Sequence, residues 1–249
     1  MSGNNGNGNG NGKHHPLTFD YRFAFANGKV KEFHVELDRD NLRLNFPRRE
    51  SYPEWTRLPH HQCENCPLKE KDSFYCPVAK NMVDVIEFFK NAVSHEIAGV
   101  EITSENRTYY KETSLQDGIS SLVGIIMVTS GCPVMDKLKP MVKVHLPFAT
   151  GEETLYRAIS MYLLAQYFTY KRGGSPDWDM DKLLKIYEEV RLVNRSFCRR
   201  LSGTCGQDAN LNAVIHLDCF ADRTAFTLEE KKLHEFERFF DAYFKTTEE

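Results

Sequence analysis

The feature that most constrains this chain is a set of cysteines placed among prolines. Cys63 and Cys66 are separated by two residues, and Cys76 and Cys132 each directly precede a proline. Two thiolates at the first spacing can bind one metal ion, because the turn between them directs both sulfurs to one point, and two further sulfurs complete a tetrahedron. The sequence therefore predicts a metal site formed by Cys63, Cys66, Cys76 and Cys132.

The prolines support the same site. Proline is favoured at the first position of a helix, so Cys76 and Cys132 are predicted to be helix N-caps, where free amides and the positive end of the helix dipole stabilise a thiolate. Ser130 and Gly131, which precede Cys132, are typical of the end of a helix. Because the thiolate is the form that binds metal ions, these positions suit ligands.

The identity of the metal stays open at the level of sequence. Zinc is our first expectation, and an iron–sulfur cluster is the alternative, because cysteine followed by proline also occurs in ferredoxin-type ligand runs. His60 or His61 could replace one cysteine ligand. A second Cys-x-x-Cys is missing, so two other interpretations remain: small buried thiols of a core, and a regulatory or catalytic dithiol.

Alternating apolar and polar residues predict strands near the N-terminus. Residues 17–38 surround Asn27-Gly28, a pair typical of a type I′ turn, and predict a β-hairpin. Residues 42–46 alternate in the same way and predict a third strand. Short strands are also predicted at residues 100–103 and 107–111.

Helical periodicity dominates the chain after residue 113. Three Ser/Thr-x-x-Glu/Gln sequences, beginning at Thr113, Thr150 and Thr227, predict capping boxes at helix starts. Helices are predicted over residues 78–93, 152–170, 180–201, 209–220 and 228–244.

Together these patterns predict an α+β protein. A polar Asn/Gly-rich tail covers residues 1–15, a β-rich region with a cysteine-rich knuckle covers residues 16–112, and a mostly helical region covers residues 113–249. We expect the N-terminal antiparallel sheet to pack against the helical region, with the two regions continuous as one domain. A metal ion held by the cysteines would fasten one region to the other.

Composition excludes several classes of protein. A content of 41% hydrophobic and 27% charged residues excludes a wholly disordered chain. The net charge of −3 provides no global field for nucleic acid, which is therefore not an expected partner. The longest apolar run, residues 122–128, is too short to cross a membrane, and the first residues carry no secretory signal. We expect a cytoplasmic protein with reduced thiols.

Candidate catalytic residues are few. Cys205 lies in a glycine-containing loop and His216 follows in the next predicted helix, but nothing in the sequence fixes their distance. His145 is predicted to be a structural histidine, and Cys198 and Cys219 to be packing residues. The motifs of common hydrolases and nucleotide-binding enzymes are missing from the sequence. These observations favour a binding role over catalysis.

Two side-chain stripes on helices are also assigned structural roles. An arginine stripe is predicted to be a solvated face partly paired with neighbouring glutamates, and an aromatic stripe is predicted to lie in the core. The arginine stripe consists of Arg191, Arg195 and Arg199, with Arg200 beside it. The aromatic stripe consists of Tyr162, Tyr167, Phe168 and Tyr170.

Several strings of this sequence together resemble an uncharacterised bacterial family defined by a domain of unknown function. They are Trp55, residues 63–68, Cys76-Pro77, residues 130–133, residues 145–149 and residues 162–168. The resemblance spans most of the chain after the tail and implies a bacterial intracellular protein. It brings no activity, cofactor or catalytic residue with it.

Three functions follow as hypotheses. The first is a cytoplasmic protein with a structural four-cysteine metal site that acts as a regulatory or partner-binding module, its partner being a protein. The second is an iron–sulfur redox sensor or electron-transfer protein. The third is a metal- or cysteine-dependent enzyme, which needs an open coordination position or an exposed thiol of low pKa.

Overall fold

The computed structural model describes residues 15–47, 49–230 and 233–245. Within them, a four-stranded antiparallel sheet is built mainly from the N-terminal part of the chain, and most helices follow it. The predicted α+β class is therefore confirmed. The prediction for residues 1–15 falls, apart from His15, outside the described residues.

The sheet combines the predicted hairpin with the two later strands, in the order β2-β1-β3-β4. The strands are β1 (Leu17–Phe25), β2 (Val30–Leu37), β3 (Ile97–Ser104) and β4 (Thr108–Ser114). In the central register, Tyr21 lies opposite Phe33 on one side and Ile102 on the other. Gly28 adopts a φ of 81°, which allows the tight turn predicted between β1 and β2.

The predicted third strand at residues 42–46 is wrong. In this segment only Leu44 pairs, through an isolated bridge to Leu37. The Asp38 carboxylate accepts hydrogen bonds of 2.9 and 3.0 Å from two backbone N–H groups within the next three residues. Leu42 then takes a φ of 57°, so the chain turns instead of extending alongside β2.

The helices follow the predicted periods but not all the predicted ends. They are α1 (Pro77–Asn81), α2 (Val83–Phe89), α3 (Leu115–Thr129), α4 (Gly151–Lys171), α5 (Asp181–Leu201), α6 (Ala209–Glu229), α7 (His234–Glu237) and α8 (Asp241–Phe244), with a 3₁₀ helix over Met135–Val144. The single helix predicted for residues 78–93 is interrupted at Met82, where φ is −97° and ψ is −4°. The helix predicted for residues 228–244 is wrong, because α6 continues to Glu229 and only short helices follow in the described part.

One of the three predicted capping boxes is present. At the start of α4, Thr150 accepts from the Glu153 backbone N–H, and Glu153 accepts from the Thr150 N–H. Thr113 instead lies in β4 and donates to the Asp117 side chain. Thr227 lies inside α6 and donates to a backbone carbonyl one turn earlier. The shared sequence pattern does not distinguish a cap from these hydroxyl contacts.

Helix α3 packs against the sheet and forms the centre of the hydrophobic core. Gly118 permits close contact: a Cβ there would lie 2.9 Å from both Phe23 Cε1 and Val100 Cγ2. Helix α6 packs on another face of α3, and α5 packs against α6. This order places the end of α3, the start of the 3₁₀ helix and the C-terminal half of α5 beside the cysteines.

Candidate metal site

The four predicted cysteines line one small cavity of about 20 Å³. Three separate segments bring them there: the loop before α1, the start of α1 and the connection that follows α3. Helix α5 closes the cavity with Val193, Phe197 and Arg200. Residues that lie 69 positions apart in sequence, such as Cys63 and Cys132, thereby share one enclosed space.

Backbone hydrogen bonds hold the first two cysteines. The Cys66 N–H donates to the Cys63 carbonyl at 3.0 Å and closes the turn between them. The Asn65 side chain, within this turn, donates to the Glu189 carbonyl of α5 at 3.0 Å. The turn is therefore attached to the helix that forms the opposite wall.

Of the two cysteine–proline pairs predicted to begin helices, the one at Cys76 does so and the one at Cys132 does not. Cys76 is the N-cap of α1, and Pro77 is in the first turn. Cys132 precedes the 3₁₀ helix, and its thiol receives backbone hydrogen bonds from Val134 and Met135. The N-cap of that 3₁₀ helix is Val134, so the predicted cap position of Cys132 is wrong by two residues.

Arg200 is the part of this site that the sequence pattern did not reveal. Its side chain donates to the carbonyls of Trp55 at 2.7 Å, Arg57 at 2.7 Å and Leu58 at 3.3 Å, and the residue is 2% exposed. Among the described residues, its guanidinium makes no ion pair with a carboxylate. One signal was available: Arg200 continues the apolar stripe of Val193 and Phe197, so its position on α5 faces inward.

The Cys63 and Cys132 thiols are shifted toward their neutral form in this setting. Burial, followed by the nearby Cys76, Cys132 and Cys66, raises the pKa of Cys63 to about 12. Burial also raises the pKa of Cys132, although the two backbone N–H groups at its sulfur act in the opposite direction. Without a cation at their centre, buried thiols of this kind stay protonated at neutral pH.

The cysteines surround the cavity without forming a complete coordination shell. Within residues 15–47, 49–230 and 233–245, no group of three or more His, Cys, Asp or Glu side chains has a placement that could hold a metal ion. Coordination would require the cysteine side chains to turn toward one point. Neither His60 nor His61 is among the described residues that line the cavity.

The remaining cysteines and the catalytic candidates lie in other contacts. Cys205 accepts a hydrogen bond from Asn210 at 3.7 Å, and burial raises its pKa, which disfavours the nucleophilic thiolate. His216 lies instead 3.1 Å from Asp117 Oδ1. Cys198 packs against the core, whereas Cys219 is exposed, so the packing role predicted for Cys219 is wrong.

The two side-chain stripes also differ from their predictions. The arginines pair across elements instead of with glutamates of α5: Arg191 with Asp222, Arg195 with Asp218 at 3.4 Å, and Arg199 with Glu64 at 3.5 Å. Of the aromatic stripe, only Tyr162 is buried; Tyr167, Phe168 and Tyr170 are exposed.

Comparison with known proteins places the chain in one family. The profile of the family described as "Domain of unknown function (DUF6901)" matches residues 19–241. The chain belongs to this family. The matched range contains all four cysteines and the helix that closes their cavity, so the candidate metal site lies within the family domain. No curated protein and no solved structure matches the chain.

In residues 15–47, 49–230 and 233–245, no helix is both long enough and apolar enough to cross a bilayer.

Proposed function

We propose that this protein is a cytoplasmic partner-binding module, regulatory in role, whose fold is held by one zinc ion bound to Cys63, Cys66, Cys76 and Cys132. The observation that carries the proposal is the convergence of these four thiols on one cavity from three segments of the chain. Four sulfurs suit a closed, tetrahedral, structural zinc site.

The charge of Arg200 supports the thiolate form of the site. A buried guanidinium without an opposite charge is costly, because burial removes its hydration. Three carbonyls accept hydrogen bonds from it but carry no net charge. A zinc ion with four thiolates has a net charge of −2 and would offset the guanidinium charge, whereas four neutral thiols would not.

The size of the cavity favours zinc over a cluster. A volume of about 20 Å³ is close to that of one water-sized sphere. A single zinc ion with sulfurs at about 2.3 Å fits a space of this scale. A cluster of four irons and four sulfides would need α5 or the Cys63–Cys66 turn to move outward.

The partner-binding part of the proposal is supported by the outer face of α4. Tyr156, Leu164 and Phe168 recur at intervals of eight and four residues and are 45%, 55% and 51% exposed. This spacing places them on one stripe of the helix. Exposed apolar stripes are typical of interaction surfaces. The same stripe on two copies could pair about a two-fold axis, so we propose a second copy of this chain as the partner.

Elemental analysis of the purified, untagged full chain, with an absorbance spectrum recorded without oxygen, tests the metal. We expect one zinc per chain and no visible absorbance. The Cys132→Ser variant should lose zinc and melt at a lower temperature, whereas Cys219→Ser, at an exposed cysteine, should keep both properties. Detection of iron and sulfide would show an iron–sulfur cluster and overturn the assignment of zinc. A metal-free wild-type chain would overturn the metal site itself.

Light scattering coupled to size exclusion tests the partner. We expect the mass of a dimer for the wild-type chain and of a monomer for the double variant Leu164→Ser, Phe168→Ser. The same double change at two exposed positions of the sheet, Glu32→Ser and Glu112→Ser, should leave the dimer intact. A monomeric wild-type chain at high micromolar concentration would rule out self-association through α4.

A further inference from the structure

A second cavity, much larger than the cysteine cavity, lies against a neighbouring face of α5. Its volume is about 190 Å³, and α3, the 3₁₀ helix, α4, α5 and α6 all contribute to its wall. An enclosed apolar cavity of roughly 150 Å³ is sufficient to hold benzene in another protein. This cavity therefore has room for one aromatic ring with a small substituent.

Most of the wall is apolar, with Leu138, Val190 and Phe220 among its side chains. Such a lining favours a hydrophobic ligand body. Polar side chains form the smaller part of the wall, and they would fix the orientation of a ligand.

The most informative polar group in the wall is Arg157. Its Nη2 donates to the Met141 carbonyl at 3.2 Å, and its buried Nε has no hydrogen-bond partner among the described residues. Within the described residues, the Arg157 guanidinium makes no ion pair with a carboxylate. Glu153, one turn away, uses its carboxylate in the cap of α4. Arg157 is therefore a partly buried cation with an unused donor beside an apolar cavity.

A second unsatisfied group points into the same wall. Asn194 is 1% exposed, lines the cavity, and its Oδ1 has no hydrogen-bond partner within the described residues. A buried amide oxygen without a donor costs about 1–3 kcal/mol in a folded protein. A ligand that carries a hydroxyl group would satisfy it.

His145 lines the large cavity with an imidazole ring that is uncharged at neutral pH. Tyr21 OH lies 2.6 Å from its Nε2, and its ring packs edge-on against Phe19 with centroids 5.2 Å apart. Burial of the ring, followed by the nearby Arg157, lowers the pKa of His145 to about 3. At neutral pH this histidine adds no positive charge, so Arg157 is the cation that a ligand would meet on this side. On the opposite side, Asp117 lies 3.1 Å from His216 Nδ1.

We propose that this cavity binds a small aromatic carboxylic acid. The carboxylate pairs with Arg157, the ring occupies the apolar part, and a ring hydroxyl donates to Asn194. Guanidinium and carboxylate form charge-assisted, often bidentate hydrogen bonds, which explains why an arginine with a free Nε suits this ligand.

Titration calorimetry of the full chain with benzoate, and with benzyl alcohol as its neutral counterpart, tests the assignment. We expect saturable binding of benzoate that is at least about ten-fold tighter than that of benzyl alcohol, the difference typical of a hydrogen-bonded charge. Arg157→Met should remove this preference while benzyl alcohol still binds. Arg223→Met, at an exposed arginine near the start of α4, should change neither affinity.

A second variant keeps the test decisive if Arg157→Met fails to fold. Val128→Phe places a larger side chain in the cavity wall and should abolish binding of both probes without removing any charge. For Asn194, at least one hydroxybenzoate isomer should bind more tightly than benzoate, and Asn194→Val should remove that advantage. Equal affinity for benzoate and benzyl alcohol, or no saturable benzoate binding in the low-millimolar range, would overturn the proposal.

Discussion

The two cavities beside α5 differ in what their walls require. The small one is lined by four cysteines and by one guanidinium that donates to three backbone carbonyls, and it has space for little more than a single ion. The large one is mostly apolar, and polar atoms of Arg157 and Asn194 in its wall have no hydrogen-bond partner in the described part of the chain. The small cavity is suited to a structural metal ion, and the large cavity is suited to a ligand that binds reversibly. Substitutions should therefore affect stability most at the small cavity and ligand binding most at the large one.

The largest effect is expected at Arg200. Arg200→Met removes the donors for the carbonyls of Trp55, Arg57 and Leu58, and should reduce the free energy of unfolding by about 3 kcal/mol. The neighbouring Arg199→Met is the matched control. Among the described residues, the Arg199 guanidinium pairs only with the exposed Glu64, so its loss should change stability by less than about 0.5 kcal/mol. Urea unfolding measures both, and equal effects would contradict the special role of the buried guanidinium.

The two faces of α3 provide the next comparison. Gly118→Ala brings a Cβ within 2.9 Å of Phe23 and Val100, and should destabilise the protein by about 2 kcal/mol. Gly124→Ala, on the cavity side, brings its Cβ only to 3.5 Å from Leu217 and should stabilise it by about 0.5–1 kcal/mol. Thermal unfolding of both variants checks the opposite signs. Destabilisation by Gly124→Ala would show that the cavity wall is as tightly packed as the sheet side.

The pH dependence of stability reports on His145. The folded protein binds a proton at this ring only near pH 3, whereas the unfolded chain binds it near its ordinary pKa of 6.5. The stability it contributes is therefore present above pH 6.5 and lost as the pH falls below that value. Although the residue as a whole is only half-buried, we expect a loss of about 1–2 kcal/mol from this group by pH 5. Urea unfolding of wild type and His145→Gln at pH 7.5 and pH 5 should show a steeper decrease in the wild type, and parallel decreases would contradict the assignment.

The smallest effect is expected at the start of α4. Thr150→Ala removes one half of the capping box and should cost about 1 kcal/mol. Because α4 carries Arg157 but no residue that lines the small cavity, the zinc content that we propose for the wild type should be unchanged in this variant. A reduced zinc content would mean that the two cavities are less independent than their walls suggest.

Local signals explain which parts of the fold were predictable. Asn27-Gly28 and the flanking alternation were enough for the hairpin, because turn and strand preferences act over a few residues. The strand prediction for residues 42–46 was wrong because these residues alternate as the residues of a strand do. The turn at Asp38 and the positive φ of Leu42 depend on local hydrogen bonds and backbone geometry, which the alternation of apolar and polar residues does not encode.

The cysteine site was partly predictable for a chemical reason. Proline is favoured in the first turn of a helix, and this preference identified Cys76 and Cys132, which are separated by 55 residues, as possible partners of the Cys63–Cys66 turn. Arg200 was not identified, because a charged residue beside a stripe of arginines is ordinarily solvated. The large cavity could not be predicted from the sequence. Five separate elements contribute to its wall, and no local sequence pattern shows that their residues come together.

Helix α5 contributes a stripe of Val193, Phe197 and Arg200 to the small cavity and a stripe of Tyr187, Val190 and Asn194 to the large one. A rotation of α5 about its long axis would therefore move one stripe toward its cavity and the other stripe away from its cavity. If the metal and the acid select different rotations, each must alter the affinity of the other by the same factor, since coupling free energies are reciprocal. The ratio of the zinc affinities measured with and without benzoate would then report how strongly a rotation of α5 couples the two sites.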